Sequence, residues 1–350
     1  MPATYDQGQY DFLVGLGHAA RIVAAAPRLS GRKIQLVTLT GFLGAGKTTL
    51  LQRLLTNSSG RRVAAVVNDF GEINIDASLV RRRDASVISL TNGCACCSIA
   101  GGLTRVLLDL TTSLEPPDAI VIEASGVANP LAILHTALAN SSLRMGALIA
   151  VVDSDAISRQ ISDQETEALL LSQVKCADIV LLNKIDISGV SKLHEAERWI
   201  RRTNPQARIV CTSGANIPVE VAFGINHELS DKIDRPSRAD HASVFTKWKF
   251  TSPNCLDRNE FTTVMANSPD SIIRAKGLMY LQDDPLHEYV YQQVGSRWSW
   301  ERLDRWSSLE PRSDLVLIGL TSSQDMSTQR FLQDLTFTWD RKIRGQRNVD

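Results

Sequence analysis

Eight residues constrain this chain more than any others: Gly41-Phe42-Leu43-Gly44-Ala45-Gly46-Lys47-Thr48. They satisfy G-x-x-x-x-G-K-[ST] at every fixed position, and their surroundings fit the same geometry. The residues just before, Lys33-Ile34-Gln35-Leu36-Val37-Thr38-Leu39, are apolar and β-branched, as a buried strand requires. Those just after, from Thr49 to Leu55, space their leucines as a helix does. Strand, glycine loop and helix together cradle a polyphosphate. Backbone N–H groups of Gly41, Gly44, Ala45, Gly46 and the helix start point at phosphate oxygens. Lys47 reaches the β/γ oxygens, the Thr48 hydroxyl ligates Mg²⁺, and Thr49 completes the set. The spacing therefore predicts a nucleoside triphosphate site.

The rest of the chain supplies a frame for that loop. Short apolar runs recur at 62–67, 86–90, 119–122, 147–152, 177–182 and 207–210. Several are apolar throughout, which calls for cover on both faces, as in a parallel sheet. Helical spacing falls at 48–57, 101–113, 130–140, 163–174 and 189–203. This alternation predicts a doubly wound, mostly parallel α/β domain over 32–222. Residues 223–241 lose the pattern and read as a linker. From 242 to 350 the character is that of a smaller α+β domain. Val244 to Phe250 alternates as a half-buried antiparallel strand does, with further strands expected at 272–282, 288–295 and 314–320, and helices at 256–267 and 326–337. Residues 1–31 form an extension. Asp6 and Asp11 stand where a signal peptide carries positive charge, so no secretion is implied.

Two further motifs refine the site. Asn183-Lys184-Ile185-Asp186 follows the strand at 177–182. The Asp186 carboxylate can accept from guanine N1–H and the 2-amino group, a pair that adenine does not present. Asn183 can serve O6 and N7, and the Lys184 stem can lie along the base. Glu123-Ala124-Ser125-Gly126 ends the strand at 119–122. Glu123 stands where an acidic group organises Mg²⁺ with Thr48, and the Gly126 N–H where a γ-phosphate is sensed. Lys47 and Glu123 are thus the candidate catalytic residues, one stabilising transferring charge, the other orienting a Mg²⁺-bound water.

Cys94, Cys96 and Cys97 put three thiols within four residues, just after a predicted strand. Such a group can converge on one soft or borderline cation: Zn²⁺, Co²⁺ or Cu(I). Three thiolates leave a tetrahedral site one ligand short, which suits a carrier better than a closed structural site. Redox chemistry through the Cys94/Cys97 pair and plain packing stay open. Cys176, Cys211 and Cys255 stand singly beside apolar runs and read as core.

With these motifs in this order, the chain resembles the CobW-type family of P-loop GTPases, which includes zinc metallochaperones, the cobalamin-pathway protein and nitrile hydratase activators. The phosphate loop, Val67 to Asp76, the cysteine cluster, Glu123–Gly126 and Asn183–Asp186 carry the likeness over 33–215. Arg274-Ala275-Lys276-Gly277 and Leu315 to Gly319 extend it into the second domain. The resemblance implies slow hydrolysis of GTP to GDP and delivery of a divalent metal to a client protein. It implies a first switch at Asn68–Asp76, with Glu72 close to the metal or to Mg²⁺. Many members carry a histidine-rich interdomain loop; here the linker holds His227 and His241, which argues against bulk metal storage. Metal and nucleotide should each raise the other's affinity.

Two other classes remain: a metal-responsive binding protein in which nucleotide is only a conformational ligand, and a small-molecule kinase. Lys+Arg and Asp+Glu both number 38, so no bulk field points to nucleic acid or a membrane surface. No apolar run approaches the roughly 18 residues that span a bilayer. The expected setting is cytoplasmic, and a homodimer is compatible with it.

Overall fold

A computed structural model of the 350-residue chain describes residues 33–67, 85–89, 99–126, 130–224, 244–306, 310–321 and 326–340. The chain divides into two compact units, one running to Phe223 and one from Gly224, with the short stretch Gln206–Ile209 grouped with the second.

The first unit is built on β1 (Ile34–Thr40), α1 (Lys47–Thr56), β2 (Val63–Val67), β3 (Ala85–Ser89), α2 (Ile99–Thr112), β4 (Ala119–Glu123), α3 (Pro130–Leu138), β5 (Leu143–Asp153), α4 (Ile157–Gln160), α5 (Gln164–Lys175), β6 (Ile179–Asn183), α6 (Val190–Thr203), β7 (Arg208–Cys211) and α7 (Val219–Phe223). The strands form one seven-stranded sheet in the order β3-β2-β4-β1-β5-β6-β7. β1 pairs in parallel with both β4 and β5, β2 with β3 and β4, and β5 with β6. β1, β2, β4 and β6 are buried along their whole length. That burial explains why β2, β4 and β6 are almost wholly apolar, while β1 also buries Gln35, Thr38 and Thr40. Helices cover the sheet with one face each: Leu50, Leu51, Leu54 and Leu55 of α1, and Ala196, Trp199 and Ile200 of α6. α5 is capped by Asp163, whose carboxylate accepts from the Thr166 N–H at 2.9 Å, and Lys175 lies in its last turn.

The second unit carries β8 (Phe245–Ser252), α8 (Arg258–Ala266), β9 (Ile272–Met279), β10 (His287–Val294), β11 (Arg297–Arg305), β12 (Ser313–Leu320) and α9 (Met326–Asp340). Its five strands run β11-β10-β9-β12-β8, and all four neighbour pairs are antiparallel. Phe261 and Met265 of α8 pack with Phe331, Leu335 and Trp339 of α9 on strand residues Ala275, Met279, Tyr291, Leu315 and Leu317. Phe261 is the hub, with its ring 4.9 Å from Tyr291, 5.7 Å from Trp300 and 6.1 Å from Trp339.

The architecture is the doubly wound, mostly parallel P-loop fold with a smaller α+β unit that the sequence predicts. Four elements differ. β5 begins at Leu143 rather than near 147, α4 and α7 are additional short helices, and Arg297–Arg305 is an unanticipated strand at the sheet edge. Among the described residues no helix is long and apolar enough to cross a membrane.

Candidate functional site

β1 is the centre of the first sheet, and the chain leaves it in opposite directions on its two sides. In such sheets a crevice opens beyond the carboxyl ends of the strands, at the switch point. Every described candidate residue lies on that edge. β1 runs into the glycine loop, β4 ends at Glu123, β5 at Asp153 and β6 at Asn183.

The loop depends on two glycines in particular. A Cβ on Gly41, at φ 138°, would meet the Val151 carbonyl oxygen at 2.2 Å, and one on Gly46, at φ 112°, the Asn183 carboxamide nitrogen at 2.5 Å. Both positions combine left-handed backbone with contact, so only glycine fits. Gly46 is the N-cap of α1 and places no side chain on the first-turn amides, which thus face the loop interior with the positive end of the helix dipole. Lys47 is buried, its Nζ donating to the Phe42 carbonyl at 3.1 Å, inside the same loop. Ala45 is buried, while Gly44 and Thr49 are exposed.

Thr48 Oγ1 donates to Glu123 Oε1 at 2.7 Å, and strand register sets the pair: Glu123 lies opposite Leu39 on β1. A hydroxyl and a carboxylate in contact at the loop mouth are hard oxygen donors of the kind Mg²⁺ prefers. Gly126 lies directly against the loop, where a Cβ would meet the Leu43 backbone nitrogen at 2.8 Å. Its carbonyl accepts from Gln173 Nε2 at 2.9 Å.

On the other side, Asn183 joins two loops. Its Nδ2 donates to the Ala45 carbonyl at 2.9 Å, and its Oδ1 accepts from the Ala215 N–H at 2.8 Å. Both ends of the carboxamide are engaged by backbone, so Asn183 here braces the loops, where the motif alone suggested contact with a base. Lys184 adopts a left-handed φ of 65° and pairs with Asp153, Nζ to Oδ2 at 2.6 Å. Asp153 Oδ1 also accepts from the N–H groups of Asp155 and Ala156, which fixes the carboxylate. Asp186 is exposed, and its Oδ1 accepts from Ser213 Oγ at 2.6 Å. Arg53 of α1 donates through Nε to the Gly214 carbonyl at 2.8 Å and so holds the 213–216 loop. Nearby, Lys192 hydrogen-bonds to Asp155 and holds its carboxyl below the usual range.

The structure thus gathers Gly41, Gly44, Ala45, Gly46, Lys47, Thr48, Glu123, Gly126, Asn183, Lys184 and Asp186 along one edge. Glu72, Cys94, Cys96 and Cys97, and the whole Asn68–Asp76 segment, lie outside the described residues. Among the described residues no group of three or more His, Cys, Asp or Glu is placed to hold a metal. The sequence reading did not single out Arg53, Asp153 or Gln173, while Ser213 lies in the Cys211–Ala215 stretch that the sequence suggested could close over the base. Two had a signal: Asp153 is the acidic end of an apolar run, and Gln173 is a polar residue between Leu170 and Val174 on the buried face of α5.

Comparison with known proteins adds a family. The description "CobW/HypB/UreG, nucleotide-binding domain" matches residues 35–211, and "Cobalamin synthesis protein cobW C-terminal domain" matches 245–335. The zinc chaperone YjiA of Escherichia coli K12 is 32% identical over 317 residues, covering 82% of this chain and 94% of that one. The zinc chaperone CobW of Pseudomonas aeruginosa is 30% identical over 344 residues, covering 86% and 92%. Zinc-regulated GTPase metalloprotein activator 1 of Dictyostelium discoideum is 28% identical over 228 residues, covering 54% of this chain and 47% of that protein.

Proposed function

The chain belongs to the CobW/HypB/UreG family, with the CobW C-terminal domain following, and from that premise we propose a GTP-hydrolysing metallochaperone that carries a divalent transition metal to a client metalloprotein. The cargo is Zn²⁺, the metal named in its relatives, with Co²⁺ as the second candidate. Its ligands are the thiolates of Cys94, Cys96 and Cys97, with Glu72 nearby. Residues 32–222 act as the GTPase domain, 223–241 as a linker and 242–350 as the C-terminal domain. The cytoplasm, where free thiols stay reduced, is the expected setting.

Asn183 carries the nucleotide reading. Its carboxamide ties the phosphate loop at Ala45 to the 213–216 loop beside Asp186. The phosphate loop and the loop beside the Asp186 carboxylate are therefore braced by one side chain, which supports reading them as parts of one nucleotide site.

The chemistry follows from the residues. Amides of Gly44, Ala45 and Gly46 and the start of α1 hold the phosphates. The Lys47 ammonium turns from the Phe42 carbonyl to the β/γ oxygens and stabilises the charge that develops there. Mg²⁺, when bound, neutralises phosphate charge; Thr48 and Glu123 are the residues that would hold it, Glu123 through water. The Asp186 carboxylate accepts from the guanine edge, and the Lys184 stem, fixed by Asp153, lies beside the base. Slow turnover suits a protein whose two nucleotide states must each last long enough to meet a partner.

Lys47→Ala tests the assignment. GTP affinity should fall by about a hundredfold or more, the loss of charge-assisted bonds to phosphate. Binding of a fluorescent GTP analogue that survives the substitution would defeat it. Multiple-turnover phosphate release from the wild type separates an enzyme from a protein that only binds nucleotide.

A further inference from the structure

Gln173 sits on the buried face of α5 with no measurable exposure, between Leu170 and Val174. A carboxamide is costly there, because burial strips water from a donor and an acceptor. Hydrocarbon would pack such a face as well, so Gln173 calls for a polar reason. Its Nε2 supplies one, donating at 2.9 Å to the carbonyl of Gly126, 47 positions earlier in the chain. Its Oε1 is equally buried and receives no donor among the described residues.

The other side of Gly126 is fixed as well. Its Cα lies so close to the phosphate loop that a Cβ would meet the Leu43 backbone nitrogen and Cδ2, both at 2.8 Å. Upstream, the Ala124 N–H donates to the Leu39 carbonyl at 2.9 Å, continuing the β4 register onto β1. Gly126 is therefore held between the loop and α5, with Gln173 as the side-chain anchor.

We propose that Gln173 is a positioning residue for the γ-phosphate: by holding the Gly126 carbonyl it sets the angle at which the Gly126 N–H meets the third phosphate. This rests on the nucleotide reading above and assigns that reading a determinant of GTP over GDP. The diphosphate makes no demand on Gly126, so Gln173 should matter to one nucleotide and not the other. A residue that merely supports the fold would weaken both alike.

The test uses the full chain with Mg²⁺ and compares a non-hydrolysable GTP analogue with GDP, by displacement of a fluorescent guanine nucleotide. Gln173→Leu should weaken the triphosphate analogue about tenfold, the scale of one net hydrogen bond, while GDP affinity changes less than about threefold. Gln173→Met keeps the length, loses the donor and should behave in the same way; it serves if the leucine variant does not fold. Variants that match the wild type, or that lose both nucleotides equally, overturn this inference alone. A folded wild type that binds neither nucleotide overturns the functional reading, and this inference with it.

Discussion

Partial burial is enough to favour the protonated form of a thiol, because the thiolate is the form that burial penalises. Cys176 and Cys211, expected in the core, are only part-buried. Burial pushes Cys176 from 9.0 up to about 11, and Cys211 to about 11 with the Glu197 carboxylate adding to it. Both are therefore protonated and poorly nucleophilic near neutral pH, unlike a thiol kept as a metal ligand. Alkylation of the native chain at pH 8 should leave Cys176 and Cys211 unmodified with or without Zn²⁺. Cys94, Cys96 and Cys97 should label in the apoprotein and be protected by the metal. Peptide mass mapping reads the pattern, and fast labelling at Cys176 or Cys211 would count against it. The raised values also carry a sign for stability. Their contribution is whole below the unfolded value near 9 and is lost as pH rises through about 11, so the chain should weaken on the alkaline side. Asp186 makes the second prediction at this scale. Asn in its place offers N–H donors where guanine needs acceptors, so Asp186→Asn should lose about a hundredfold in GTP affinity and gain XTP, whose 2-oxo group accepts. A GTP/XTP competition that leaves the preference unchanged would remove Asp186 from base reading.

At the level of elements, α8 shows how one residue fixes a helix to a sheet. Asp257 caps it, accepting from the Glu260 N–H at 2.8 Å, and Phe261 then enters the aromatic cluster with no exposure. Phe261→Ala should cost about 3–5 kcal/mol, the usual range for deleting a buried ring, because Tyr291, Trp300 and Trp339 are too large to close the gap. Urea unfolding followed by tryptophan fluorescence measures it, and a loss under about 1 kcal/mol would mean that the cluster repacks. The elements also show what sequence alone can reveal. β2, β4 and β6 were legible because both faces are buried and each is a continuous apolar run. β11 was not, because Arg297–Arg305 is an edge strand, largely exposed, that alternates charge with tryptophan; pairing with β10 makes it a strand. The start of β5 was hidden by Arg144 and by Gly146, which is required because a Cβ there would meet the Leu36 carbonyl oxygen at 2.4 Å. The candidate site divides in the same way. Lys47, Thr48 and Asn183–Asp186 are motif residues adjacent in sequence. Arg53, Asp153 and Gln173 act through partners 161, 31 and 47 positions away, and only the folded sheet brings those together.

For the whole molecule, the proposed function requires that nucleotide and metal sense each other. The geometry favours a single mechanical unit for the nucleotide: Thr48 meets Glu123, Gly126 rests on Leu43, and Asn183 spans two loops, so a third phosphate acts on several anchored segments at once. The cysteine cluster lies in sequence between Asn68–Asp76 and Glu123–Gly126, in the stretch joining β3 to α2. If the proposed thiolate site is right, a nucleotide-dependent change in the flanking segments would reach it, and linkage makes the effect mutual: whatever GTP does to metal affinity, metal does to GTP affinity. The decisive measurement is a chelator-competition titration of the reduced apoprotein with Zn²⁺ and with Co²⁺. Each is run with Mg²⁺ and a non-hydrolysable GTP analogue, then with Mg²⁺ and GDP. Metal binding should be tighter in the GTP-like state by about tenfold or more, about 1.4 kcal/mol of coupling. Cys96→Ala should abolish that difference. Equal affinities in the two states would mean that the phosphate does not gate the thiols. The chain would then be a nucleotide-bound metal sensor, because a carrier that holds its ion equally before and after hydrolysis gains nothing from the reaction when it must let go.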